Sequence, residues 1–152
     1  MLADQNAFLK DLTAEEYELL AVLFEPVSVS ASTVFFRQGD PAAHLYLVLD
    51  GTVAVRYKPD DGPPITLTHL HAGDIFGWSS VVGNDVYTAD VISATPVQAF
   101  RLRGKALRRL VRSHPAAGTC ILEKLAKAVS PRWTDARLQI QSILQSEPSI
   151  RG

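Results

Sequence analysis

A single change of period constrains this chain more than any other feature. From Pro26 to about Arg103 the apolar residues recur at every second position: Val27 and Val29; Val34 and Phe36; Leu45, Leu47 and Leu49; Val53 and Val55; Ile65 and Leu67; Val91; Val97 and Ala99. The runs are separated by QGDP, DG, PDDGPP, HAGD and VGND, which supply the Gly, Pro, Asn and Asp that tight turns require. Many short alternating runs between such turns predict an antiparallel sandwich or barrel. After Arg103 the spacing becomes helical. Ala106, Leu107, Leu110 and Val111 form one stripe that ends at His114-Pro115, and Ile121, Leu122, Leu125, Ala126 and Val129 form a second.

Two further segments complete the outline. Thr13 and Glu16 have the spacing of a capping box, with Leu12 placed to staple onto Tyr17, so a short helix is expected from Thr13 to about Phe24. Ile75 to Gly83 (IFGWSSVVG) is too apolar for a solvated loop and alternates too poorly for a strand, which predicts a short helix between strands. The second C-terminal stripe runs on past Pro131 through Trp133, Ala136, Ile140, Ile143 and Leu144. Pro131 either kinks one long helix or opens a new one capped by Ser130. The expected fold class is thus mainly β with flanking helices, within a single domain over residues 1–152. Its β-roll covers about 26–103 and its C-terminal helices about 104–145, with a frayed tail from Glu147.

Composition sets limits on function. The chain has 152 residues, room for about one hydrophobic core, and a formal net charge of -1, so no overall basic field attracts nucleic acid. The start, MLADQNAFLKDL, lacks a basic stretch leading into an apolar one, so no signal peptide is expected; neither is a membrane span, and the location expected is cytoplasmic. One cysteine, Cys120, excludes intramolecular disulfides and Cys-rich metal sites and is expected to act as a buried filler. Ser-His-Asp arrangements, P-loops and GxGxxG are absent, so no catalytic residue is assigned and the protein is not expected to be an enzyme.

The most specific stretches are Phe36-Arg37-Gln38-Gly39-Asp40, then Leu45 to Val53 (LYLVLDGTV), and Ala72-Gly73-Asp74-Ile75-Phe76-Gly77. Gly39, Gly51 and Gly73 stand where a strand must turn, and Gly77 where backbone approaches a ligand. In these motifs, and in element order over about residues 7 to 145, the chain resembles the cyclic-nucleotide-binding domain of bacterial catabolite-activator-like regulators, kinase regulatory subunits and gated channels. The resemblance implies a jelly-roll β-roll and a phosphate-binding cassette in which backbone N–H groups of the short helix meet a cyclic phosphate. It also implies a Glu after the Phe-Gly pair for the ribose and an Arg at the next strand for the phosphate. Trp78 and Tyr87 occupy those two positions, and Thr88 keeps a hydroxyl. The ligand-binding residues expected on this basis are Phe76, Gly77, Trp78, Ser79, Ser80, Tyr87, Thr88 and Ala89, joined by Arg132 and Trp133. Losing two charge-assisted anchors costs about 3–6 kcal/mol, which takes a micromolar site to about millimolar. Trp78 and Tyr87 would make the pocket mouth bulkier and more apolar, suiting a less polar or aromatic ligand.

Three other features carry alternatives. His69, His71 and Asp74 are spaced as a metal trio similar to the cupins, which opens the reading of a metal-dependent small-molecule enzyme; two exposed strand histidines are the plainer reading, and no metal is assigned. Arg101, Arg103, Lys105, Arg108, Arg109 and Arg112 form a basic run that reads first as the solvated face of an amphipathic helix and second as a surface for an acidic partner. Leu122, Leu125, Val129, Trp133, Ala136, Ile140 and Ile143 recur at steps of three and four, a stripe expected to pair two copies into a homodimer. Too few residues follow Leu144 for a helix-turn-helix, so no DNA-binding domain is expected. The function expected is a regulatory domain that senses a small molecule, with weak or altered nucleotide specificity and no resident cofactor beyond a cyclic nucleotide or other ligand. A ligandless dimerisation scaffold is the remaining alternative.

Overall fold

The computed structural model of the chain describes residues 7–57, 62–63, 65–82 and 85–128. Two short helices, α1 (Ala7–Lys10) and α2 (Ala14–Ala21), lead into strands β1 (Glu25–Val29), β2 (Val34–Phe36), β3 (His44–Asp50), β4 (Val53–Tyr57), β5 (Ile65–Leu70) and β6 (Ile75–Phe76). A one-turn helix, α3 (Ser79–Val82), interrupts the strands before β7 (Asp90–Ser93) and β8 (Val97–Arg103), and α4 (Gly104–Ser113) and α5 (Pro115–Ala128) follow. The eight strands form two antiparallel four-stranded sheets, ordered β1-β8-β3-β6 and β2-β7-β4-β5, which is the jelly-roll arrangement. The mainly β fold with flanking helices and the inserted short helix are as the sequence predicts, although Ile75 and Phe76 pair with β3 instead of joining that helix.

The molecule has two cores, one on each side of the first sheet. Tyr46, Val48, Val97 and Ala99 from that sheet meet Val53, Val55, Leu70 and Val91 from the second inside the roll, with Ala89 from the turn just before β7. On the other side Leu45, Leu47 and Leu102 pack beneath Leu20 of α2, Leu107 and Leu110 of α4, and Ile121 and Leu125 of α5. β3 is therefore buried on both faces, which explains its unbroken apolar run from Leu45 to Leu49. β1 pairs with β8 on one side only, so Pro26 sits on an edge strand, the place in a sheet where proline is tolerated.

The N-terminal helix ties the two ends of the described chain together. Thr13 and Glu16 form the expected capping box, with Thr13 N–H donating to Glu16 Oε1 at 3.0 Å and Glu16 N–H to Thr13 Oγ1 at 3.1 Å. The same Glu16 oxygen lies 2.6 Å from Lys124 Nζ on α5, and that ammonium also donates to the Asp11 carbonyl at 2.8 Å. The Lys124 bond and the Thr13 N–H hold the Glu16 carboxyl below its ordinary pKa. A group with a depressed folded pKa adds stability above its unfolded value, about 4.3, and that stability disappears as the pH falls through the folded value. The urea midpoints of wild type and Lys124→Met should accordingly differ at neutral pH and converge on acidification below about pH 4; a constant gap down to pH 2 would exclude the linkage.

Two expectations about α5 are altered. Cys120 is exposed and not a buried filler, because the helix turns Gly118, Ile121 and Leu125 inward at steps of three and four and carries position 120 around to the solvent. Ala126, assigned to the same stripe, is exposed too. The dimer stripe beyond Leu125, along with Arg132 and Trp133, lies outside the described residues. No helix among the described residues is long and apolar enough to cross a membrane.

Candidate functional site

The cassette begins where β6 ends. Gly77 has φ +85°, and a Cβ built on it would stand 2.5 Å from the His44 carbonyl oxygen, so the chain can turn off β6 against β3 only with glycine at this position. α3 then closes on itself: Ser80 N–H donates to the Gly77 carbonyl at 3.1 Å, and the buried Ser80 hydroxyl donates to the same carbonyl at 2.8 Å. The Ser80 hydroxyl is thus directed into the turn. Ser79 is half-buried at the first position of the helix.

Tyr87 and Trp78 take up places that differ from the expected pocket mouth. Tyr87 is 5 % exposed and belongs to the core inside the roll, where its ring stacks on Phe36 at 3.5 Å between centroids. Its hydroxyl donates to the His44 carbonyl at 2.6 Å and accepts from the His44 N–H at 2.9 Å, so both ends of one backbone unit are satisfied by one side chain. Burial pushes the Tyr87 phenol above its ordinary pKa and keeps the donor proton in place. Around it the Tyr46 and Phe76 rings stack at 4.7 Å, with Phe35 edge-on to both. Trp78 packs on the other core, beneath the helices, half-buried. The two aromatic residues, assigned to one pocket mouth by the sequence, therefore lie on opposite sides of the first sheet. The pleat and the turn at Gly77 decide which core each side chain enters, and neither is visible in residue type.

The structure brings Phe76, Tyr87 and Ala89 together in the roll interior, while Thr88, between two inward residues, is half-buried. Sequence reasoning missed Phe35, Phe36 and Tyr46 as walls of this space. Their signal was the FF pair before the QGD turn and an aromatic residue between Leu45 and Leu47. It also missed Arg108, whose Nη1 donates to the Ser80 and Val81 carbonyls at 2.6 and 3.4 Å and so holds the end of α3. Gly104, one turn earlier on α4, lets that helix rest on the Ser80 carbonyl, where an added Cβ would clash. Arg108 borders Gly104 and Val111 at the edge of the apolar stripe, which is why it is not simply part of the solvated face.

The metal trio resolves into turn contacts. His69 is exposed on β5, and the exposed His71 donates its N–H to Asp74 Oδ2 at 2.9 Å, with its ring Nδ1 3.4 Å from Thr52 Oγ1. Among the described residues no three His, Cys, Asp or Glu side chains gather at one point.

Comparison with known proteins agrees with this geometry. Over 80 residues the chain is 38% identical to an acetyltransferase, Pat, of Mycolicibacterium smegmatis, covering 53% of this chain and 24% of that protein. It is 27% identical over 103 residues to a CRP-like cAMP-activated global transcriptional regulator of Mycobacterium tuberculosis, covering 68% of this chain and 46% of the regulator. The matched region thus spans less than half of either relative. Among solved structures, a cyclic nucleotide-binding domain from Methylobacillus flagellatus superposes with a TM-score of 0.76 at 22% identity, covering 93% of this chain and 79% of that one. Residues 26–114, the whole roll and the first helix after it, match the family model described as the cyclic nucleotide-binding domain. With the two sheets, the one-turn helix after Phe76-Gly77 and this match in agreement, the chain belongs to the cyclic nucleotide-binding domain family.

Proposed function

We propose that this regulatory domain senses a small molecule less polar than a ribose phosphate, and that it binds ordinary cyclic nucleotides weakly. The observation that carries this reading is Tyr87, which stands where the resemblance implies a phosphate-binding arginine and whose ring and hydroxyl are both engaged by Phe36 and His44. An anion entering the roll would find an apolar aromatic wall in place of a guanidinium and would have to displace a satisfied side chain. Trp78, at the position implied for the ribose-binding Glu, supplies no carboxylate. A sensing role without chemistry of its own, and pairing of two copies through the stripe from Leu122 to Ile143, belong to the same proposal. The pairing rests on residue spacing alone.

Calorimetric titration with cAMP and cGMP tests the reading. The expected dissociation constants are no tighter than about tens of micromolar, and putting back the guanidinium in the roll with Tyr87→Arg should tighten binding by about tenfold or more. Submicromolar affinity in the wild type would overturn the proposal. Mass spectrometry of small molecules that co-purify with the protein would name the natural ligand class.

A further inference from the structure

α4 carries Lys105, Arg108, Arg109 and Arg112 and no acidic residue. Four like charges on ten residues repel one another, and among the described residues none of the four has a carboxylate partner. Two of them, Arg108 and Arg112, are one turn apart and flank a cavity of about 300 Å³ whose other walls are Val81 of α3, Val111 of α4 and Leu122 of α5. Among the described residues every wall comes from the three helices and none from the roll interior that holds Tyr87.

We infer that this cavity binds an amphipathic anion, an aliphatic chain ending in a carboxylate or phosphate. Val81, Val111 and Leu122 offer apolar contact that a free inorganic anion or a sugar phosphate cannot use. The two guanidinium groups select against neutral and cationic amphiphiles, and the volume lies at the small end of ligand pockets. Arg108 spends Nη1 on the Ser80 and Val81 carbonyls and keeps Nη2 and Nε for a head group, while Arg112 is exposed and unpaired among the described residues. The site also touches the cassette. An anion that draws the Arg108 guanidinium toward itself weakens its hold on the Ser80 and Val81 carbonyls, so occupancy of the helical cavity reaches the end of α3.

The test uses the full chain with decanoate, decyl phosphate and decyltrimethylammonium, each below its micelle-forming concentration, followed by calorimetry and methyl NMR. Saturable binding of one or both anions is expected, with shifts at the Val81, Val111 and Leu122 methyls and none at Val53 inside the roll. A preference for one head group tells a fatty acid from a phosphate-bearing lipid. Arg112→Gln, at an exposed helical position, should weaken binding about tenfold or more, and Arg112→Lys should retain part of it. The inference fails if neither anion binds, if decyltrimethylammonium binds equally well, or if Arg112→Gln has no effect. None of these outcomes depends on whether a cyclic nucleotide binds in the roll.

Discussion

Replacing Tyr87 by alanine is expected to lower the free energy of unfolding by about 3–5 kcal/mol, the range for deleting a large buried aromatic side chain. Three losses coincide: the ring stacked on Phe36 at 3.5 Å, the bond to the His44 carbonyl and the bond from the His44 N–H. Tyr87→Phe separates them. It keeps the ring and removes only the hydroxyl, leaving two backbone groups without that partner, and should cost about 1–3 kcal/mol. Urea unfolding of the two variants beside wild type measures both terms. A cost below about 1 kcal/mol for Tyr87→Ala would mean that the ring does not fill the roll interior. The cavity left by alanine has the shape of the lost ring, with apolar walls and the His44 N–H and carbonyl at one end, so p-cresol should raise the variant's unfolding midpoint by mass action and leave that of wild type unchanged.

Gly77→Ala is expected to cost about 2–5 kcal/mol, from two separable sources. A positive φ of +85° places any L side chain in the left-handed region at about 1–2 kcal/mol, and the added methyl would press on the His44 carbonyl oxygen, an overpacking cost of about 1–3 kcal/mol. Gly73 is the control, because its φ of +94° carries the first penalty while a Cβ there meets nothing within 4 Å. Thermal unfolding should therefore rank Gly77→Ala below Gly73→Ala, and the gap between them measures how tightly the cassette backbone lies on β3. Equal losses in the two variants would show that His44 yields without cost.

Both experiments bear on how the cassette is supported. Gly77 rests on β3 through His44, Tyr87 grips the same His44 from the roll interior, and α4 holds the far end of α3 through Arg108 and Gly104. One backbone unit of β3 thus joins the turn into the cassette to the residue at the implied arginine position. A ligand that displaces Tyr87 would break two hydrogen bonds at His44, and the disturbance would arise within a few ångströms of Gly77.

The elements of the fold were legible in the residues because they follow from local periodicity and local chemistry. Alternation marked the strands, turn residues marked their ends, and the Thr13–Glu16 spacing marked the first capped helix, each set by geometry within a few residues. Local pattern therefore carries the order and type of elements and the motif Phe76-Gly77 that places the cassette. The tertiary structure decided which side of the first sheet each aromatic residue enters, so that Tyr87 fills the roll and Trp78 the helical layer. It decided that Cys120 faces solvent and that Arg108 leaves the solvated face to hold the end of α3. The physical reason is that β3 is buried on both faces: apolar character on its own says that a residue goes inside, and in a molecule with two cores only the packing of sheet against sheet and of helix against sheet says which inside.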